Sequence, residues 1–434
     1  AFGFFISVPG DVDADGKPDI AIGTDAQDVF TGSGTGCGQP EPNGCNEDQG
    51  KAWVFSGDTA AVLYALDNPF PQGNGAANRA RFGSRIGRAG DLNGDGVSDI
   101  IVGASGNDVP AGCGDVNPLP QNCRRDQGQA FIFSGKPSDH AGGASGMIRT
   151  LDLPADDFPQ NGGTPCPEAC GTFGLSVQSP GDLGTPGAPG SSVAGPRDGV
   201  PDQLVDSGSY LNSQGRMYVF DGASGALIRK VDDPEPQTGA IFGFQDVTPL
   251  SPGDVGSVNP NGKPIGARDG YAEIYGNGFI QNAPTDGEGK AWVFDGKTGA
   301  VLYSINDPTP ERGGQFGWSM SGTKYNDDVF PDLYIGQSPH HVGGATGSGG
   351  TYVIDGHNEG LLKGLELPAT CVQPSTPGNL GPNLGWTNSA PGDLNGDGEP
   401  DYVGGAPFTD VGGNQDQGRL FVYLSNDTSV ASCT

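Results

Sequence analysis

The sequence is poor in basic residues and in histidine, and it contains no long hydrophobic run. Lysine and arginine together number 22 against 52 acidic residues, which gives a formal net charge of −30. Nucleic acid is therefore not an expected partner, because contacts with phosphates need a basic surface. No apolar run reaches the roughly 18 residues of a membrane-spanning helix, so we expect no membrane insertion. We also expect that a signal peptide has already been removed.

Motifs of common catalytic sites are missing as well. The sequence contains no GxSxG, HExxH or P-loop pattern. The adjacent His340 and His341 lie in a glycine-rich loop, which is typical of a solvated segment. Trp53 and Trp292 occupy equivalent places in apolar runs and are predicted to be core residues. We therefore predict no enzyme, although the many acidic pairs leave a glycosidase-type site open.

Eight cysteines at short local spacings indicate disulfides and an oxidising compartment. The predicted pairs are Cys37–Cys45, Cys113–Cys123, Cys166–Cys170 and, by elimination, Cys371–Cys433. Zinc is the alternative for clustered cysteines, but no CxxC pair supports it. Asn426 begins an N-glycosylation sequon, which matters if the source glycosylates its proteins. The expected location is extracellular or on the cell surface.

Glycine and proline, with 78 and 37 copies, fall at turn positions between short apolar runs. Six units open with Phe-Gly or a variant, and each continues through an acidic loop to a strand that begins with glycine. The openings are at Phe2, Phe82, Phe173, Phe242, Phe316 and Leu384, and the strand glycines are Gly50, Gly128, Gly215, Gly289, Gly350 and Gly418.

Each unit supplies four candidate strands, which is the pattern of a propeller blade. The sequence predicts an all-β fold, a β-propeller of four-stranded antiparallel blades with six blades. Seven blades stay possible if one is hidden in an insert. We predict a single domain over residues 1–434, with repeats at about 1–80, 81–171, 172–240, 241–314, 315–382 and 383–434.

Three acidic loops share one spacing, with side-chain oxygens at positions 1, 3, 5 and 9 and glycine at position 6. Calcium takes about six to eight oxygen ligands, and the glycine permits the sharp turn around an ion. The predicted ligands are Asp11, Asp13, Asp15, Lys17 and Asp19, then Asp91, Asn93, Asp95, Val97 and Asp99, and finally Asp393, Asn395, Asp397, Glu399 and Asp401. Lys17, Val97 and Glu399, at position 7, would contribute backbone carbonyls. The alternative is a polar turn without a metal.

Two further loops keep this pattern incompletely, because inserts blur position 3. Their candidate ligands are Asp182, Asp198, Val200 and Asp202 in one loop and Asp254, Asp269, Tyr271 and Glu273 in the other. In the fifth unit Lys324 stands at position 1, where its ammonium group would replace the ion. The sequence therefore predicts three calcium sites, up to five if the incomplete loops bind, and an empty or weak site in the fifth unit.

The Phe-Gly openings, the DxDxDGxxD loops and the segment Gly405-Ala406-Pro407 resemble FG-GAP repeats. Such repeats form the propeller of integrin α-subunit heads and of related secreted bacterial proteins. The resemblance implies calcium in the loop between the first two strands of a blade, where it stiffens the structure. The chain departs from integrin heads in having six repeats and cysteine-bearing inserts, so a generic binding role is carried over and a receptor role is not.

The expected function is therefore an extracellular, calcium-stabilised binding, adhesion or scaffold module that recognises a protein or glycan without catalysis. One alternative is a structural subunit of a surface layer or extracellular filament, in which the chain associates with itself. Another is a carbohydrate-active enzyme, since some polysaccharide lyases are propellers.

Overall fold

The structure is a computed structural model of the chain. It describes residues 5–25, 27, 29–30, 45–46, 49–72, 80–111, 113, 123–157, 172–188, 191, 193–244, 251–257, 268–278, 287–326, 328–338, 347–368, 370–373, 381–412 and 414–425. The chain divides into two compact units, Ala1–Asp232 and Asp233–Thr434. No helix in these ranges is long and apolar enough to span a bilayer.

The first unit contains three four-stranded blades, each formed by strands that follow one another in sequence and pair antiparallel. The first blade has strands β1 (Phe5–Gly10), β2 (Asp19–Thr24), β5 (Lys51–Phe55) and β6 (Val62–Asp67), with a ribbon of β3 (Val29–Phe30) and β4 (Cys45–Asn46) inserted after β2. The second has β7 (Phe82–Gly90), β8 (Asp99–Ala104), β9 (Gln129–Phe133) and β10 (Met147–Asp152). The third has β11 (Phe173–Gly181), β12 (Asp202–Ser207), β13 (Arg216–Phe220) and β14 (Leu227–Asp232).

The second unit contains the other three blades. The fourth blade has β15 (Ile274–Gly278), β16 (Lys290–Phe294) and β17 (Val301–Asn306). The fifth has β18 (Phe316–Thr323), β19 (Asp332–Gln337), β20 (Gly350–Ile354) and β21 (Leu361–Glu366), and the sixth has β22 (Thr387–Gly392), β23 (Asp401–Ala406) and β24 (Arg419–Tyr423). Within the described residues, the fourth and sixth blades therefore show three strands each.

Helix is confined to short pieces in the first unit, within the described part of the chain. These are 3-10 turns at Pro137–Gly143 and Ala155–Asp157 and the single turn α1 (Tyr210–Ser213). The prediction of an all-β protein with six propeller blades is confirmed.

Strand centres are buried on both sides because neighbouring blades stack face to face. All six residues of β8 are buried, and so are all five of β20. One core cluster joins Val54 of the first blade to Phe82 and Val102 of the second. The apolar, non-alternating strands that the sequence contains are explained by this stacking.

Phe-Gly openings and glycine-led third strands meet at the seams between consecutive blades. Within each unit, a parallel bridge joins the glycine of one blade to the opening residue of the next, and these bridges are Gly50–Phe82, Gly128–Phe173, Gly289–Phe316 and Gly349–Leu384. The Phe173 N–H donates to the Gln127 carbonyl at 2.7 Å. In the fifth blade the bridging glycine is Gly349, one residue before the glycine that the sequence indicated.

A side chain at a seam glycine would collide with the next blade. A Cβ atom on Gly128 would lie 2.0 Å from the Phe173 carbonyl oxygen, and the φ of Gly128, +79°, is left-handed. Gly142 has a similar φ of +69°, but among the described residues no atom lies within 4 Å of the place that its Cβ atom would occupy. Comparing the same substitution at the two glycines therefore separates the cost of steric collision from the cost of backbone strain.

We expect Gly128→Ala to lower the free energy of unfolding by at least about 3 kcal/mol, since strain and overpacking add. Gly142→Ala carries the strain alone and should cost about 1 kcal/mol. Urea unfolding of both variants measures the difference. Equal losses would show that the seam tolerates a methyl group.

Candidate functional site

The first acidic loop, between β1 and β2, brings three carboxylates together. Oxygens of Asp11, Asp13 and Asp15 lie within 4.8 Å of one another and could hold a metal ion. The loop is shaped by its own carboxylates, since Asp11 accepts from the Gly16 N–H at 2.8 Å and Asp15 accepts from the Lys17 N–H at 2.8 Å. Gly16 has a φ of +89°, the left-handed conformation that glycine adopts readily.

The second and sixth blades rebuild the same loop. Position 1 accepts from the glycine at position 6, at 2.9 Å for Asp91 and 2.8 Å for Asp393. Position 5 accepts from the N–H of position 7, at 2.9 Å for both Asp95 and Asp397. The three complete sequence patterns thus share one backbone geometry.

The two loops with inserts reproduce this geometry too. Asp182 accepts from Gly199 at 2.7 Å, and Asp254 accepts from Gly270 at 2.8 Å. Asp198 and Asp269 accept from the N–H groups two residues later, those of Val200 and Tyr271. As in the complete loops, position 1 therefore bonds to position 6 and position 5 bonds to position 7.

The insert loop of the fourth blade also gathers acidic groups. Asp254, Asp269 and Glu273 present carboxylate oxygens within 4.8 Å of one another. The Arg268 guanidinium lies 3.6 Å from Asp254 and offsets part of that charge. The inserts therefore leave the potential ligands of positions 1, 5 and 9 in place.

The fifth blade differs in two ways. Lys324 is exposed at position 1, as the sequence indicated. Position 6 is Val329, which does not adopt the left-handed conformation of the glycines in the other loops. Asp328 still accepts from the Phe330 N–H at 2.8 Å. Both differences support the prediction of an empty or weak site here.

The acidic residue at position 9 has a structural role that the sequence pattern did not reveal. Asp99 is fully buried and accepts from Leu92 in its own loop at 2.8 Å and from Gly135 after the third strand at 3.1 Å. Asp19 does the same with Val12 and Gly57, at 2.7 and 2.9 Å. The sequence contains one signal for this contact, which is the glycine or serine two residues after each third strand.

Position 9 therefore ties the acidic loop to the far end of its blade. The same pair of bonds is made by Asp202 to Leu183 and Gly222, and by Asp401 to Leu394 and Ser425. Each carboxylate oxygen has a second lone pair, so this tie is compatible with a bound cation.

Burial raises the pKa of several position 9 carboxyls. Desolvation is the main cause, and it raises the pKa of Asp99 to about 6, of Asp202 to about 8 and of Glu273 to about 9. Acidic neighbours such as Asp182 and Asp254 raise the pKa of the last two further. A divalent cation would favour the ionised forms, because an opposite charge nearby offsets desolvation.

The donor set fits a hard cation. Positions 1, 3 and 5 offer carboxylate or amide oxygens, position 7 a backbone carbonyl and position 9 a carboxylate, and these are the ligands that calcium prefers. The residues that would hold it are those predicted from the sequence. An ion held there would act by neutralising charge and fixing the turn.

The described residues also test part of the cysteine and tryptophan predictions. Cys113 and Cys123 form the predicted disulfide, with Cα atoms 5.4 Å apart. Cys371 is buried and disulfide-bonded, but its predicted partner Cys433 lies outside the described residues. Trp292 is buried in the core, as predicted, whereas Trp53 at the equivalent position is only partly buried.

Other predictions fall on side chains outside the described part of the chain. These are the pairs Cys37–Cys45 and Cys166–Cys170, the sequon at Asn426, and His340 and His341.

Comparison with known proteins agrees with the repeat pattern. The FG-GAP repeat family matches residues 82–117 and 385–423. Similar curated proteins are the phosphatidylinositol-glycan-specific phospholipases D of Bos taurus, 36% identical over 115 residues, and of Homo sapiens, 35% identical over 103 residues. These matches cover 26% and 24% of this chain but only 13% and 11% of the relatives.

The matched segments begin at the features described above. The first starts at Phe82, the seam residue of the second blade, and the second starts at Gly385 in the opening of the sixth. Both segments include an acidic loop and the strand that follows it. The chain therefore contains FG-GAP repeats in two places, in its second and sixth blades.

Proposed function

We propose that this protein is an extracellular binding or scaffold module whose blades are stabilised by calcium, and that it recognises a protein or glycan without catalysis. The observation that carries the proposal is the acidic loop, which has the same hydrogen bonds in five blades, including two with inserts. An ion in each loop would fix the connection between the first two strands. Loops elsewhere on the blades would then be free to bind a ligand.

The similarity to phospholipases D supports a shared repeat and is too short to carry over their catalytic activity. Only about a quarter of this chain and an eighth of those proteins are similar. The acidic residues of the described loops are engaged in backbone hydrogen bonds that shape the turns. We infer that the shared segment serves structure and recognition, and that the role of the chain is non-catalytic.

An extracellular site is supported by the chemistry of the chain. The Cys113–Cys123 disulfide is characteristic of oxidising compartments. Calcium sites of modest affinity are filled where the free ion reaches about 10⁻⁴ to 10⁻³ M, as it does outside cells. Both features therefore favour secretion or display at the cell surface.

A glycan array and a panel of purified extracellular proteins test the proposal directly. Labelled protein in about 2 mM calcium should bind a ligand saturably, and excess EDTA should weaken that binding at least about tenfold, because loops lose their support when ions leave. Asp91→Ala should weaken it in calcium, whereas Asp67→Ala, which changes an exposed acid outside the loops, should not. Release of unsaturated or reducing sugar products, or of lipid products, would contradict a non-catalytic role.

A further inference from the structure

Two of the complete acidic loops contain an asparagine followed by a glycine, at Asn93-Gly94 and Asn395-Gly396. Both residues of each pair are exposed. In such a pair the side-chain amide is open to attack by the glycine nitrogen, because glycine has no Cβ atom to shield it. A third pair within the described ranges, Asn277-Gly278, is buried in β15, and Asn277 Nδ2 donates to the carbonyls of Phe244 and Gly317 at 2.7 and 2.6 Å.

The glycine nitrogen of each exposed pair faces a carboxylate. The Gly94 N–H donates to Asp91 Oδ1 at 2.7 Å, and the Gly396 N–H donates to Asp393 Oδ1 at 2.6 Å. A backbone nitrogen becomes a nucleophile as it loses its proton, and a carboxylate within hydrogen-bond reach can accept that proton. Position 1 of the loop therefore supplies a base for the nitrogen that follows position 3.

The side-chain carbonyl of each asparagine is polarised by the backbone. Asn93 Oδ1 accepts from the Asp95 N–H, and Asn395 Oδ1 accepts from the Asp397 N–H, both at 2.9 Å. A donor at this oxygen stabilises the negative charge that develops on it when the carbonyl carbon is attacked. The loop thus holds a nucleophile with its base and an activated carbonyl in two consecutive residues.

We propose that Asn93 and Asn395 are sites of spontaneous deamidation, and that a calcium ion bound in the loop suppresses the reaction. The glycine nitrogen forms a bond to Cγ of the asparagine, the bond between Cγ and Nδ2 breaks, and Nδ2 leaves as ammonia with the proton of the glycine nitrogen. Water then opens the succinimide ring, at one carbonyl to give aspartate and at the other to give isoaspartate. Water is the only added reactant.

Suppression by calcium rests on the ion sites of the proposed function. An ion would take Asp91 as a ligand, which removes it as a base, and would hold Asn93 Oδ1 toward itself, so that Cγ cannot turn toward the Gly94 nitrogen. Reaction then requires release of the ion. Free calcium at about ten times its dissociation constant therefore slows the reaction about tenfold.

The two products have opposite effects on the loop. Aspartate at position 3 reproduces the first loop, where Asp13 lies together with Asp11 and Asp15. Isoaspartate carries the main chain through the former side chain and lengthens it by a methylene group, so that the oxygens at the later positions lose their spacing from position 1. Formation of isoaspartate is therefore expected to destroy the calcium site.

Peptide mapping by mass spectrometry tests the proposal on the intact chain. Folded protein is kept in warm, mildly alkaline buffer with about 2 mM calcium or with excess EDTA. In EDTA, Asn93 and Asn395 should change from amide to carboxylate at least about ten times faster than in calcium. Asn277 should stay intact in both buffers and react as readily as the other two in urea, because only burial protects it.

Gly94→Ala tests the route within one molecule. Among the described residues no atom lies within 4 Å of the place that its Cβ atom would occupy, so the substitution causes no collision. The added methyl group shields the nitrogen and should slow modification of Asn93 at least about tenfold, while Asn395 reacts as before.

A second variant separates the two products. Asn93→Asp should bind as many calcium ions as the unmodified protein, since it keeps an oxygen ligand at position 3. Protein aged in EDTA and returned to calcium should instead lose about one ion for each isoaspartate in these loops. Labelling by an isoaspartyl methyltransferase counts the isoaspartates, and elemental analysis counts the ions.

Three results would overturn the proposal. One is folded protein in EDTA whose Asn93 and Asn395 stay intact as long as Asn277 does, and another is modification of Asn93 that Gly94→Ala leaves unchanged. The third is an equal rate in both buffers. If elemental analysis then finds bound calcium, the ion sites stand and suppression alone is refuted, whereas protein without calcium refutes the ion sites as well.

Discussion

Chelation of calcium is expected to lower the midpoint of thermal unfolding by on the order of 10 °C. An ion that binds only the folded state stabilises it by about 2.7 kcal/mol when its free concentration is 100 times the dissociation constant. Each unit contains at least one complete loop, and the first contains two. One kcal/mol shifts the midpoint by about 2–4 °C in a unit of roughly 200 residues, so two sites produce a shift of this size.

Calorimetry in calcium and in excess EDTA measures this shift, and elemental analysis of the dialysed protein counts the ions. We expect three to five calcium ions per chain. Asp67→Asn, which removes an exposed carboxylate that pairs with Lys51, serves as a control for the general loss of negative charge. A protein that contains no calcium and melts at the same temperature in both buffers would refute structural calcium.

Asp99→Ala is expected to destabilise the protein by about 2–6 kcal/mol in EDTA, and by more in calcium, because a predicted ligand of the ion is lost as well. The substitution leaves the N–H groups of Leu92 and Gly135 without their acceptor, and each buried group left unsatisfied costs about 1–3 kcal/mol. Because this loss concerns hydrogen bonds, it does not depend on whether an ion is bound. Urea unfolding in both buffers provides the measurement.

Asp91→Ala is the matched comparison in the same loop. Its carboxylate accepts from Gly94, Asp95 and Gly96, of which the two glycines are exposed and can turn to water. We therefore expect it to abolish the calcium-dependent part of the stability and to change little in EDTA. If Asp99→Ala behaved like Asp91→Ala and lost its effect in EDTA, position 9 would be a ligand without the structural role assigned to it.

Asp99→Ala and Asp91→Ala together separate the structural role of the loop from its role in binding an ion. The complete loops concentrate carboxylates in a chain that already carries a net charge of −30. Backbone N–H groups stabilise these carboxylates but supply no full positive charge, so repulsion between them persists until a cation binds. Asp13 shows the effect, since desolvation and then the charges of Asp19 and Asp15 raise its pKa.

Several features of this protein were determined by sequence alone. The strands, the six blades and the three complete acidic loops follow from short-range patterns such as Phe2-Gly3 and Asp91 to Asp99. Turns and strands depend on the residues within them, and a glycine at position 6 supplies the left-handed conformation wherever it occurs. The repetition of each pattern in several units made the prediction secure.

Only the tertiary structure decided which of these patterns meet. Gly50 and Phe82 form one seam, and Asp99 joins Leu92 to Gly135. Each of these facts concerns groups that are distant in sequence or belong to different blades. Their contact depends on strand register and on the stacking of blades, which no local spacing of residues specifies.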